Sequence, residues 1–186
     1  NISPACLKPG FAFGGSCLPK DLRALRHNAR ILDVPTPMLD ATLQANENQL
    51  AKAYSMITHS NTKRIGIVGL SFKTGTDDLR ESPLVELAER LYGKGYSLRI
   101  YDPNVQYDAL VGANLNFIKS YAPHLSGLMV DDFEDLVDHS EVIVVGKRDE
   151  DITGHLGRVG GSRQIIDLVR LDPKRRSSAS YQGICW

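Results

Sequence analysis

Cysteine is scarce in this chain, and its three copies, Cys6, Cys17 and Cys185, lie far apart. An odd, scattered set argues against a disulfide framework and points to a reducing cytoplasm. No CxxC or HxxxH spacing occurs, so a structural metal site is not expected. The histidines His27, His59, His124, His139 and His155 are dispersed and form no recognisable triad with Cys17, which disfavours a cysteine–histidine hydrolase. Excess charge is also missing. The 22 basic and 22 acidic side chains cancel, whereas a nucleic-acid binder normally gathers a basic excess on one face. No apolar run approaches the roughly 20 residues that cross a bilayer. No signal-peptide core opens the sequence, and neither repeats nor low-complexity segments occur.

What remains is an ordinary globular composition, 42% hydrophobic and 24% charged. The length suits one domain with an appendage and can bury a sizeable core. The first residue is Asn1, and "NISPACLKPG" reads like the middle of a longer protein, so a fragment is expected.

Residues 1–18 carry Pro4, Pro9, Gly10, Gly14 and Gly15 and read as an ordered loop. A helix is predicted from about Pro19, because proline in a first turn forfeits no hydrogen bond. Leu22, Leu25, Ala29 and Leu32 recur along one face of it. "VPTP" (34–37) ends it, and a longer helix follows with Leu39, Leu43, Leu50, Tyr54 and Ile57 on one stripe. The character then changes. "RIGIVGL" (64–70) is a short apolar run, as expected of a strand buried on both faces of a parallel sheet. Next comes a helix with Ser82 as N-cap, Pro83 at its first position and Leu84, Leu87, Ala88 and Leu91 facing inward. The strand "YSLRIYD" closes a βαβ unit. Beyond it the pattern predicts a strand "GLMV" (127–130), a helix "DDFEDLVDH", and strands "EVIVVG" (141–146) and "RQIIDLV" (163–169). The fold class is therefore α/β: a Rossmann-like parallel sheet with helices on both faces, preceded by a loop and a helical pair. Residues 1–60 are assigned to the loop and helices and 61–186 to the Rossmann-like domain, whose body ends near 175 and leaves a surface tail.

The first turn of that sheet lacks the G-x-G-x-x-G that lets backbone amides approach a pyrophosphate. Asp102, at the end of the second strand, is placed like a ribose-binding acid, but strand-end aspartates are also common turn residues. The turn instead concentrates Lys73, Thr74, Thr76, Asp77, Asp78, Arg80, Glu81 and Ser82 beyond the carboxyl end of the first strand, where open α/β sheets bind ligands. Arg80 by its planar fork and Lys73 as a point charge could grip phosphates, or Asp77 and Asp78 could neutralise both in a solvated loop. A free cysteine is usually an inert buried residue. Cys17, however, falls just before a helix N-terminus, where unpaired amides and the helix dipole favour a thiolate, and Lys20 adds positive charge. Gly14 and Gly15 remove side chains, which would let a substrate come close to the sulfur. Asp21, in the first turn, either complements the dipole or positions a proton or water near the thiol.

Two motifs in order, "GFAFGGSCLPKD" (10–21) and "GLSFKTGTDDLRESP" (69–83), resemble the UDP-glucose/GDP-mannose 6-dehydrogenase family, and the likeness spans nearly the whole chain. The resemblance implies oxidation of a nucleotide sugar at its C6 alcohol, twice, with NAD+ as hydride acceptor and no aldehyde released. It makes Cys17 the nucleophile that forms a thiohemiacetal and then a thioester, with Asp21 assisting proton or water handling. It matches Lys20 and Arg80 to cofactor contacts, and Lys73 to a contact with the nucleotide sugar. Lys8, Phe11 and Gly14 match the loop that wraps the substrate, partly across the boundary of an interlocked homodimer. It also implies that NAD is held mainly by an N-terminal domain outside this sequence, and that the Rossmann-like domain present here serves the nucleotide sugar. The forms "CLKPGFAFGGSCLPKD" and "GICW" point to GDP-mannose as that sugar, with UDP-glucose or a related UDP-sugar as the alternative. A non-catalytic nucleotide-binding or dimerisation module sharing only the fold is the reading from another class.

Overall fold

The computed structural model describes residues 10–72, 75–105, 112–148, 150–156, 159, 163–172, 174, 178 and 180–185. Two helices lead, α1 (Leu18–Ile31) and α2 (Pro37–Thr58). A five-stranded sheet follows, built from β1 (Arg64–Val68), β2 (Ser97–Tyr101), β3 (Val142–Val145), β4 (Gln164–Asp167) and β5 (Tyr181–Gly183). Its strand order is β2-β1-β3-β4-β5 and every pairing is parallel. The helix α3 (Pro83–Gly93) joins β1 to β2. Between β2 and β3 lie α4 (Gly112–Tyr121), a 3-10 helix (Pro123–Leu128) and α5 (Phe133–His139), while α6 (Glu150–Leu156) joins β3 to β4.

Strand alternation sorts the apolar side chains onto two faces. Ile100, Ile67, Val144 and Ile166 lie side by side across four strands and face α2 and α3, which contribute Leu50, Ala53, Ile57, Leu84, Leu87 and Leu91 to one core. Ile143, Ile165 and Tyr181 are neighbours in the opposite register and meet Phe133, Leu136, Ile152 and Leu156 of α5 and α6 in the other. Helices therefore cover both faces, as the continuous apolar runs implied. The α3 cap is as expected: the Ser82 hydroxyl accepts from the Leu84 amide, with Pro83 opening the helix.

Three sequence readings change. Residues 127–128 of the expected strand "GLMV" close the 3-10 helix begun at Pro123, and the remaining two meet the sheet only through an isolated bridge of Met129 to Ile100, with the Val130 amide donating to the Ile100 carbonyl at 2.9 Å. The expected surface tail instead returns as β5: Tyr181 and Ile184 are each 3% exposed, and the Tyr181 hydroxyl donates to buried Asp167. On α1 the leucine stripe is not covered by the described residues. Ala29 is buried, but Leu25 is 55% and Leu32 72% exposed. Periodicity alone does not say whether a partner for such a stripe lies within these residues.

Candidate active site

Cys17 is the N-cap residue of α1. Its carbonyl accepts the Asp21 amide at 2.9 Å, and its thiol is exposed and makes no capping bond, with Ser16 Oγ 3.9 Å away. A thiol in this position stands at the end of the helix where free amides and the dipole favour an anion. Lys20 and Asp21 follow on the same turn, both well exposed, with Nζ 3.3 Å from Oδ1.

The loop that delivers Cys17 rests on the turn after β1, more than fifty residues on in sequence. Gly14 lies so close to that turn that a Cβ would stand 2.2 Å from the Glu81 carbonyl oxygen and 2.7 Å from Pro83 Cδ. Gly15 has φ of +85° and faces the Phe72 ring, which a Cβ would meet at 2.8 Å. The room left by the two glycines is thus taken up by Glu81, Pro83 and Phe72, which corrects the expectation that it is kept open for substrate. Asn46 of α2 grips the loop twice, accepting the Phe13 amide at 2.8 Å and donating to the Phe13 carbonyl at 3.0 Å. The Arg23 guanidinium forks onto both oxygens of Glu81, one bond at 2.9 Å. Glu81 itself has φ of +50°, a left-handed conformation costly for a side-chain-bearing residue and frequent where structure is held for function. Phe11 is 6% exposed and belongs to the core, so its ring anchors the loop.

Arg80 forks onto Asp78 through Nε at 2.9 Å and Nη2 at 2.8 Å. That hydrogen-bonded carboxylate, and more weakly the Cys17 sulfur, hold the guanidinium above its ordinary range. Asp77 accepts from Asn114 of α4 at 3.1 Å. Lys8 and Lys73 lie outside the described residues. A cleft of about 750 Å³ opens between α2 and α3, bounded by Phe13, Arg23, Asn46, Glu81, Arg90 and Phe117, and Cys17 does not line it.

One polar centre is not legible in the sequence. At the point where strand order reverses, between β1 and β3, Lys147 is 2% exposed and its Nζ donates to Asp102 Oδ1 at 2.8 Å and Ser71 Oγ at 2.9 Å. Asp102 Oδ2 accepts the Leu70 and Ser71 amides at 2.8 and 3.1 Å, and Oδ1 accepts the Asn104 amide at 3.0 Å. Burial pushes the Asp102 carboxyl up, but the Lys147 hydrogen bond, the Leu70 amide, the Lys147 charge and the Ser71 amide together hold it below its ordinary value of 3.8. Asp102 is thus no free ribose acid. The Leu70 and Ser71 amides, which a pyrophosphate would need, are occupied by its carboxylate, and a Cβ on Gly69 would stand 2.4 Å from Lys147 Cβ. This turn does not fit a dinucleotide. The one available signal was a lysine directly after "VIVVG", at the end of a strand with no exposed face.

Comparison with known proteins agrees with this architecture. The "UDP-glucose/GDP-mannose dehydrogenase family, UDP binding domain" matches residues 66–170, and the central domain of the same family matches residues 1–48. The chain belongs to the UDP-glucose/GDP-mannose dehydrogenase family. It is 50% identical over its whole length to GDP-mannose 6-dehydrogenase of Pseudomonas aeruginosa, of which it covers 42%, and 44% identical to that of Azotobacter vinelandii, again covering 42%. A UDP-glucose 6-dehydrogenase of Bacillus subtilis is 40% identical over 106 residues, 55% of this chain and 24% of the relative. In solved structures, 99% of the chain superposes with a TM-score of 0.91 on 42% of a ternary complex of GDP-mannose dehydrogenase from P. aeruginosa, at 50% identity. A UDP-glucose dehydrogenase from Pyrobaculum islandicum gives 0.75 at 25% identity, over 95% of this chain and 39% of that one. The chain spans less than half the length of these relatives.

Proposed function

We propose that this chain supplies the nucleophilic thiol and part of the nucleotide-sugar site of a nucleotide-sugar 6-dehydrogenase that converts GDP-mannose to GDP-mannuronate, the activated sugar of alginate, in the cytoplasm. The observation that carries the reading is the placement of Cys17. It is exposed at the N-terminus of α1, on a loop seated against the turn that holds Arg80. The same carbon of the sugar is oxidised twice. When bound, NAD supplies the hydride acceptor for both steps. Since the β1 turn does not fit a dinucleotide, NAD is assigned mainly to residues outside this chain, with Lys20 and Arg80 as its contacts here.

The role of Cys17 follows from thiol chemistry. Its thiolate adds to the C6 aldehyde, forming a carbon–sulfur bond while the carbonyl oxygen takes a proton, and the resulting thiohemiacetal keeps one hydrogen on C6 as hydride. Loss of that hydride to the acceptor, with the hydroxyl proton passing to a base, leaves a thioester. Water then adds to its carbonyl, the carbon–sulfur bond breaks, and the acid leaves with the thiolate restored. Asp21, one turn along the helix, is assigned to the proton or to that water. Lys8, Phe11, Gly14 and Lys73 are assigned to the substrate loop and the nucleotide sugar. Residues 1–60 are taken as the active-site region, 61–186 as the nucleotide-sugar domain, and the working form as an interlocked homodimer. On this reading the 186 residues alone turn over no substrate.

The choice of sugar rests on extent. In sequence, GDP-mannose 6-dehydrogenases of Pseudomonas match the entire chain at 46–50% identity, whereas a UDP-glucose 6-dehydrogenase of Bacillus subtilis matches about half of it at 40%. The description of residues 66–170 as a UDP-binding domain keeps a UDP-sugar as the second reading. Initial rates of the full-length enzyme with GDP-mannose and with UDP-glucose, each with NAD+, decide between them. A preference for GDP-mannose is expected, and a preference for UDP-glucose overturns the assignment.

A further inference from the structure

Among the described residues, the Lys147–Asp102–Ser71 cluster is a buried ion pair to which the chemistry above gives no role. Its Lys147 and Asp102 side chains are 1% and 0% exposed, so neither can meet substrate directly. A buried pair of this kind is seldom a net gain in stability, since apolar residues of the same volume would hold the sheet end together as well. Apolar residues could not, however, accept the Leu70 and Ser71 amides in fixed directions. Each neighbour of that fixed segment leads toward the thiol. The Leu70 carbonyl accepts the Ser82 hydroxyl at 2.6 Å, which ties down the start of α3 beside the Glu81 and Pro83 shelf under Gly14. The Phe72 ring backs Gly15, two residues before Cys17. The Phe72 amide donates to the Asp78 carbonyl at 3.3 Å, and Asp78 holds the Arg80 fork.

We propose that Lys147, Asp102 and Ser71 are positioning residues for the thiol site: they fix residues 70–72, and through Phe72 and the Gly14–Gly15 contacts they set where Cys17 stands relative to Arg80. The inference rests on the reading of Cys17 as nucleophile. Three elements meet in the cluster, the ends of β1, β2 and β3, so the rigid sheet rather than the loop dictates the position of the sulfur. Small displacements of a reacting group are costly, which gives such a device its purpose.

The test uses the full-length enzyme with Lys147→Met, which removes the counter-ion, and Ser71→Ala, which removes one hydroxyl and leaves the ion pair. Alkylation of Cys17 and Cys185 by iodoacetamide is followed by peptide mass spectrometry, at a temperature where far-UV circular dichroism shows the variant folded. Cys185, held against Gln49 and Lys52 of α2, serves as the reference within the same molecule, so the folded fraction cancels. The Cys17:Cys185 rate ratio is expected to fall about tenfold in Lys147→Met and by a smaller factor in Ser71→Ala. Trapped aldehyde should rise relative to acid in both, because a misplaced sulfur captures the half-oxidised sugar less often. General loss of folded protein would scale aldehyde and acid together. A ratio within about twofold of the parent in folded Lys147→Met overturns the proposal. If that variant does not fold, an unchanged thiol ratio and aldehyde-to-acid partition in Ser71→Ala overturns it. A parent whose two thiols react alike brings down the nucleophile reading first, and this inference with it.

Discussion

Gly15 is one of two glycines at which the thiol loop has no room for a side chain. Its φ of +85° is disfavoured for any residue with a Cβ by about 1–2 kcal/mol. The Phe72 ring already stands where that Cβ would go. Gly15→Ala should therefore lower the thermal midpoint and also change the alkylation rate of Cys17, two residues away. A variant with the parent midpoint would show that the loop shifts freely and that the Phe72 contact fixes nothing. Arg80 gives the complementary case. It is partly exposed and outside the core, so Arg80→Met should leave the midpoint close to that of the parent while slowing Cys17 alkylation relative to Cys185. An unaltered relative rate would remove Arg80 from the electrostatics of the thiol.

At the scale of elements, the sheet ends hold most of the unusual energetics. Asp102 is a depressed carboxyl, so its contribution to stability is fully present above its unfolded value near 4 and is lost as pH falls through the lower folded value. Asp102→Asn should accordingly be less stable than the parent at neutral pH, with the gap narrowing below about pH 4. Urea midpoints across that range measure it, and a gap independent of pH contradicts the assignment. Lys147→Met, which strands the carboxylate, should cost about 3–5 kcal/mol. On the far edge, β5 is only three residues long and is pinned by Tyr181 bonding to a fully buried Asp167, which also accepts the Val169 and Leu171 amides at 2.9 and 2.8 Å. Tyr181→Phe leaves that carboxylate short of a donor and should cost about 1–3 kcal/mol, read as a lower urea midpoint. These non-local ties explain what the sequence could not disclose. "YQG" carries no strand period, and its place depends on an aspartate fourteen residues earlier. The runs "RIGIV" and "VIVV" and the Ser82–Pro83 cap were legible because local chemistry alone specifies them. The 3-10 helix at Pro123 was misread because a short apolar run looks the same in either state. α4 and α6, with little apolar periodicity, were not foreseen. Cys17 at its helix start was legible for the same local reason as the cap, whereas the Lys147 centre needed three strand ends brought together by the fold.

For the whole molecule, the uneven covering of α1 and α2 has consequences. The C-terminal half of α2 is locked into the core through Leu50, Ala53 and Ile57, yet Ile31, Leu32, Val34 and Met38 leave an apolar surface at the α1–α2 connection, with Met38 82% exposed. Patches of that kind mark contact with another chain or domain, which is consistent with the proposed homodimer. Replacing Leu32 and Met38 together by glutamate in the full-length protein should shift sedimentation toward the monomer without changing the far-UV spectrum. An unchanged sedimentation coefficient would place the subunit contact elsewhere. No helix among the described residues is long and apolar enough to cross a membrane. The central claim is that the Cys17 sulfur captures the half-oxidised sugar, and product analysis of full-length Cys17→Ala with GDP-mannose and NAD+ tests it most directly. Acid formation should be lost while the substrate is still bound. Acid formed at the parent rate would contradict it.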